Sequence, residues 1–209
     1  MTIAFAATED VLTPGRPIAL PPAARALYVR SGRVAVYHGG KATMLADEGC
    51  ALFVGAASLA GDGVVWGFEA TRSLAAPDPL RTLLRVTLPR DLDAPLLLRA
   101  DRVHFPPGAV TPRHVHAGPG IRRLISGRLF AEIGGTHRRI DAGEAWFESG
   151  EEPVVGRNLA PASAFVRCMA LDPGLLGRPT FRAATPEDAA LPRPVCYRPI
   201  LDAIVTMTH

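Results

Sequence analysis

Leu27-Tyr-Val-Arg-Ser-Gly-Arg-Val-Ala-Val-Tyr-His-Gly39-Gly40 lies over Arg122-Arg-Leu-Ile-Ser-Gly-Arg-Leu-Phe-Ala-Glu-Ile-Gly134-Gly135 without a gap. Ser31-Gly32-Arg33 falls on Ser126-Gly127-Arg128, and the two Gly-Gly pairs coincide. After a slip of one residue, Gly49-Cys-Ala-Leu-Phe53 falls on Gly143-Glu-Ala-Trp-Phe147. An internal repeat of this kind organises a chain into copies of one structural unit. Each copy reads as strand, glycine turn, strand, Gly-Gly hairpin and strand, followed by a further turn and strand. The glycines supply positive φ in the turns, so they shape the fold rather than the chemistry.

Composition agrees with that reading. At 209 residues and 48% hydrophobic content the chain can bury one large core or two small ones. Twenty Gly and twenty Pro point to many short elements joined by turns, which suits an all-β fold. The formal charge is only +3 and the basic residues are scattered, so no nucleic-acid partner is expected. Cys50, Cys168 and Cys196 are odd in number and have no CxxC spacing, so they are expected to be reduced and buried. Residues 1–10 lack the positive segment of a signal peptide, and no apolar run approaches the ~20 residues of a membrane span. The expectation is a soluble cytoplasmic protein with no membrane partner.

Around the repeat, Leu80–Leu88 and Pro95–Phe105 look strand-like, with turn residues Asp91–Pro95 between them. The expected organisation is a first copy over 1–92, a second over 93–175, and an extension over 176–209 packing on the barrels. Within the extension, Thr185-Pro186 reads as a helix start. Ile200–Met207 fits a strand or a short helix.

The second copy opens with Pro107-Gly108-Ala-Val-Thr-Pro-Arg-His114-Val-His116-Ala-Gly-Pro-Gly120, and six residues separate Gly120 from Gly127. This resembles the first cupin motif, G-x5-H-x-H-x3-E-x6-G. Gly143 through Pro153 to Asn158 resembles the second in weaker form. The resemblance implies two tandem jelly-roll-like antiparallel β-barrels, that is a bicupin, and a metal site of three His and one Glu. Two of those four ligands are missing, because Gly120 stands at the Glu position and Val154 at the His position. The resemblance implies a stand-in, Glu148, as third ligand beside His114 and His116.

His114 and His116, at i and i+2 on a strand, project onto one face, which inside a barrel is concave and shielded from water. With a carboxylate they form a set suited to Fe, Mn, Zn or Ni. The same pair can instead be merely hydrogen-bonded or solvent-facing. The resemblance implies that position 120 points inward, so by strand parity Arg122, two residues on, points inward as well, and a buried Arg needs an anion. That anion is the carboxylate of a small acidic ligand, or an ion-pair partner such as Glu132 or Glu148. The first copy has Ala19, Pro21, Leu27 and Val54 at the positions of His114, His116, Arg122 and Glu148, so it carries no ligand set. His38, His104 and His137 lie near strand ends or hairpins, and His104 is close enough in sequence to reach the same cavity.

Two functions follow. One is a divalent-metal-dependent oxygenase, isomerase or lyase acting on a small acidic metabolite, with Arg122 orienting it and Glu148 in the catalytic set. The other is a noncatalytic ligand-binding or sensor protein with an incomplete metal site. The resemblance also implies a homodimer.

Overall fold

A computed structural model describes residues 2–72, 81–90 and 94–206. The chain divides into two compact units, residues 1–96 with 205–209 and residues 97–204. The junction expected near residue 92 lies outside the described residues.

The N-terminal unit is one antiparallel sheet of β1 (Ile3–Leu12), β2 (Ile18–His38), β3 (Lys41–Leu45), β4 (Cys50–Thr71) and β5 (Arg81–Leu88) in the order β3-β2-β4-β1-β5. At 21 and 22 residues, β2 and β4 far exceed the usual strand of about 5–6. They curl around each other. Tyr28 pairs with both Cys50 and Trp66, and Leu59 with both Ile18 and Val36, so each strand flanks the other on two sides. Such wrapping leaves less open edge. The register breaks between Leu20 and Ala23, where Pro21 and Pro22 have no N–H to give the ladder. Leu12, Leu27, Val34, Phe53 and Leu59 fill the interior. A buried ion pair, Arg25 to Glu69 at 2.6 Å, is part of the same unit.

The C-terminal unit is two five-stranded sheets. One holds β7 (His114–His116), β9 (Arg128–Ile133), β10 (Thr136–Asp141), β12 (Val154–Asn158) and β14 (Phe181–Ala183), in the order β10-β9-β12-β7-β14. The other holds β6 (Leu96–Phe105), β8 (Gly120–Ser126), β11 (Ala145–Glu148), β13 (Ser163–Leu171) and β15 (Cys196–Val205), in the order β11-β8-β13-β6-β15. Side chains alternate between faces along every strand, so Val103, Phe105, Leu124, Leu129, Trp146 and Phe165 converge between the sheets as a core. The described part of the expected extension, residues 176–206, is woven into both sheets. It supplies an edge strand to each sheet, β14 beside β7 and β15 beside β6. Ile200–Met207, open between helix and strand in the sequence, falls largely on β15. Thr185 caps a one-turn helix, α1 (Pro186–Ala189), by accepting from the Asp188 amide.

The repeat is legible in the backbone. Gly39 and Gly40 (φ 55° and 74°) match Gly134 and Gly135 (φ 55° and 84°) in the hairpins, and Gly32 (φ 94°) matches Gly127 (φ 82°). All three cysteines are free, but only Cys168 is buried. Cys196 is exposed, because it opens the edge strand β15. Among the described residues no helix is long and apolar enough to cross a membrane.

Candidate functional site

Asp101, Arg167, Arg122 and Trp146 stand in one row across β6, β13, β8 and β11, each directly opposite the next. Two like charges, Arg167 and Arg122, are therefore cross-strand neighbours, an arrangement that is unfavourable unless each is neutralised. Each is. Asp101 takes Arg167 in a two-pronged pair, Nε to Oδ1 at 3.1 Å and Nη2 to Oδ2 at 2.5 Å. Glu148, two residues along β11 from Trp146, takes Arg122, with Nη2 2.5 Å from Oε2. Trp146 Nε1 donates to the other oxygen of Glu148 at 2.9 Å. Both guanidiniums are buried, Arg122 at only 1% exposure. Burial pushes Arg122 down to about 10, still cationic at neutral pH. Burial also opposes the charge of Arg167, but Asp101 outweighs it and the pKa is raised.

The Arg122–Glu148 contact is short but misaligned. Arg122 Nη1 donates to the Gly120 carbonyl at 2.6 Å, while Nη2, fully buried, has no hydrogen-bond partner in spite of its closeness to Glu148. It is an ion pair that leaves the Nη2 hydrogens without an aligned acceptor. Gly120 explains how Arg122 fits. A Cβ there would lie 3.1 Å from Arg122 Nη1 and 2.9 Å from Met169 Cγ, so a glycine at this position frees the space that the guanidinium needs.

His114 and His116 face the same interior from the opposite sheet, both buried, their rings 4.9 Å apart and edge-on. His114 Nδ1 lies 2.8 Å from the Pro112 carbonyl, which can only accept, so Nδ1 carries the proton and Nε2 keeps a lone pair. Arg167 Nη1 lies at nearly equal distance from the two ring nitrogens of His116, 3.5 Å from Nδ1 and 3.4 Å from Nε2, and Glu148 Oε2 is 3.8 Å from Nε2. A proton on Nε2 suits the Glu148 carboxylate, while the guanidinium singles out neither nitrogen. Burial lowers the pKa of both histidines, for His114 against the opposing effect of the Pro112 carbonyl, and for His116 with Arg167 and Arg122 adding to it.

That direction sets a pH dependence. Above the ordinary value of 6.5 folded and unfolded chains are equally neutral at these positions, and no stability is lost. Below 6.5 the unfolded chain takes up protons that the folded one refuses, so stability falls until the depressed folded values are reached. Each histidine contributes up to ~1.4 kcal/mol per pH unit in that window. Urea unfolding from pH 7 to pH 5 is expected to show this slope, and His116→Gln to flatten it. An unaltered slope in that variant would assign the effect to other groups.

The structure thus gathers Arg122, His114, His116 and Glu148 onto one interior. It does not dispose the last three as ligands of an ion. His114 Nε2 fits a metal, since its other nitrogen is fixed by a carbonyl. Both ring nitrogens of His116 lie within 3.5 Å of the Arg167 guanidinium, whose charge opposes a cation there. Glu148 is held by Arg122 and Trp146, so its expected part as third ligand meets a cation already in place. Among the described residues no three His, Cys, Asp or Glu form a group that could hold a metal ion. Val154 is a buried apolar residue directly opposite His114 on β7. His104 does not reach the interior. It is exposed on β6, on the face opposite Val103 and Phe105.

Arg167 and Asp101 are missed in the sequence, although parity held a signal. Arg167 shares a face with Phe165 in a strand that is otherwise nearly all apolar, and Asp101 shares one with Val103 and Phe105. The paired residues are 66 apart, and nothing local joins them.

Two chambers adjoin here, both within the C-terminal unit. The inner one, about 40 Å³, is lined by Arg122, His114, His116 and Glu148 together with apolar residues such as Leu129 and Phe165. The outer one, about 190 Å³, is lined by Arg99, Thr180, Phe181, Arg193 and others, and shares His116, Arg167 and Tyr197 with the inner.

In structure the chain is similar to AerE from Microcystis aeruginosa, with TM-score 0.62 and 16% identity over 80% of this chain and 88% of that one. It is similar to a variant of oxalate decarboxylase from B. subtilis, with TM-score 0.61 and 13% identity over 90% and 73%. A cupin 2 conserved barrel domain protein from Leptotrichia buccalis aligns with TM-score 0.51 and 10% identity over 81% and 89%. The chain has the cupin fold, and the span of these alignments fits a bicupin. What is shared at such identities is the fold. No family model matches the sequence, and no curated protein matches it.

Proposed function

We propose that the C-terminal unit is a binding site for a small organic acid, of the noncatalytic or sensor kind, and that Arg122 is its inner anchor. The observation that carries this reading is Arg122 Nη2, a fully buried donor on a cavity wall with no aligned acceptor. A buried donor left unmade costs about 1–3 kcal/mol, which a ligand oxygen would recover. The inner chamber, at about 40 Å³, has room for about three water-sized groups, since a single water needs roughly 10–15 Å³ of such volume. Oxalate decarboxylase, one of the similar structures, is named for a small acid.

A second reading, a divalent ion held by His114 and His116 with Glu148, has the free Nε2 lone pair of His114 in its favour. It requires Glu148 to leave Arg122 and His116 to turn from Arg167.

Thermal unfolding against a panel of short organic acids tests the first reading. At least one acid is expected to raise the midpoint, by the equivalent of about 2.7 kcal/mol at a hundredfold excess over Kd. Arg122→Lys keeps the charge but loses the planar fork, and is expected to abolish the shift. An equal shift in that variant, or none in the parent, overturns the reading. Elemental mass spectrometry of the purified protein addresses the second. A stoichiometric divalent ion that disappears in His114→Ala would replace the first reading with it.

A further inference from the structure

The charges around the two chambers cancel in pairs, with one exception. Arg122 has Glu148 and Arg167 has Asp101. Arg99, on the outer wall, is taken by Asp202 with two bonds of 2.9 Å and by the Leu175 and Arg178 carbonyls. Arg193 lines the outer chamber and has no carboxylate partner among the described residues. A carboxylate placed beside Arg122 would add a negative charge to an interior already neutral. The same carboxylate at the outer chamber would meet the one guanidinium there with none.

Arg193 is exposed, and an exposed arginine is commonly mobile and of small effect. Three features hold this one. Pro192 and Pro194 flank it and restrict the local backbone to extended forms. Val195, two residues on, is buried in the core of the unit. The guanidinium lies 3.8 Å over the ring of Phe181, whose own ring stacks on His114 at 4.7 Å and 21°. A donor held in advance binds with less loss of freedom. Thr180 and Tyr197 add hydroxyls to the same wall.

We infer that the outer chamber is the anion subsite: Arg193 receives the ligand carboxylate, while an uncharged oxygen at the other end of the ligand enters the inner chamber and accepts from Arg122. The ligand is then a monoanionic acid with a carbonyl or hydroxyl at its far end. Its middle fits the outer chamber, since a 150 Å³ cavity already accepts benzene and this one is about 190 Å³. This inference rests on the binding reading above and adds to it which group goes where.

Calorimetric titration of the full chain with 4-oxopentanoate, 5-oxohexanoate, methyl 4-oxopentanoate and pentanoate separates the two. The parent is expected to bind an oxo acid about tenfold more tightly than the methyl ester, the worth of one charge-assisted pair. In Arg193→Gln that preference disappears and ester affinity is unchanged, whereas Arg122→Lys weakens acid and ester alike. Equal binding of acid and ester by the parent, or a preference that survives in Arg193→Gln, overturns the anion subsite and leaves the Arg122 anchor standing. Pentanoate bound as tightly as the oxo acids, with dependence on Arg193, overturns the anchor and leaves the subsite. No binding of any probe overturns both.

Discussion

Asp101→Ala is expected to destabilise the C-terminal unit by about 3–5 kcal/mol, because it strands a buried charge instead of merely deleting a contact. Arg167 would keep its guanidinium directly opposite Arg122 and against His116, with both prongs of its pair gone. Each unit holds one of the two tryptophans, so in a Trp66→Phe background the fluorescence of Trp146 reports on the C-terminal unit. The urea midpoint is expected to fall by on the order of 2 M. Replacing both partners, Asp101→Leu with Arg167→Met, is expected to recover most of the loss, since an ion pair exchanged for apolar groups of similar volume is often neutral. A single variant as stable as its parent would mean that Arg167 finds water through the outer chamber and that the pair is not structural.

Gly127→Ala is the second large effect, about 3 kcal/mol or more. Positive φ alone costs a side chain about 1–2 kcal/mol. Here the added Cβ would also stand 2.2 Å from Ser163 Oγ and 2.3 Å from the Ala162 carbonyl. Ser163 cannot step aside cheaply, since its hydroxyl accepts from the Arg128 amide and lies 2.7 Å from Asn158 Oδ1. Asn158 in turn donates to the Phe105 and Pro106 carbonyls, so the disturbance spreads to the start of the histidine loop. Gly143→Ala is the control. Its φ is also positive, at 91°, but nothing lies within 4 Å of a Cβ there, so only the conformational cost remains. Equal losses in the two variants would show that the crowding around Gly127 relaxes freely.

The match of Gly32 with Gly127, and of the Gly-Gly pairs, is legible in the sequence because turn geometry is written in local residue choice. Strand parity made His114, His116 and Arg122 candidates for one interior, because a period of two needs only neighbouring residues, and the cupin resemblance added Glu148. Parity says nothing of what a side chain meets there. Gly120 reads in the sequence as a lost ligand. In the fold it is the space that admits the Arg122 guanidinium, a fact that depends on Met169 and Cys168 of another strand. Arg193 was illegible for a similar reason, since its part depends on Phe181 and Val195 being anchored in the C-terminal unit.

From residue order alone come the two β-units, their turns and the inward faces of their strands, because these follow from short-range sterics and the pleat. The fold chose Glu148 over Glu132 as the partner of Arg122, and it alone supplied Asp101 for Arg167 and left Arg193 with none among the described residues. Those pairings bring together residues tens of positions apart, and it is long-range register that decides whether a buried charge is neutralised, stranded or left to meet a ligand.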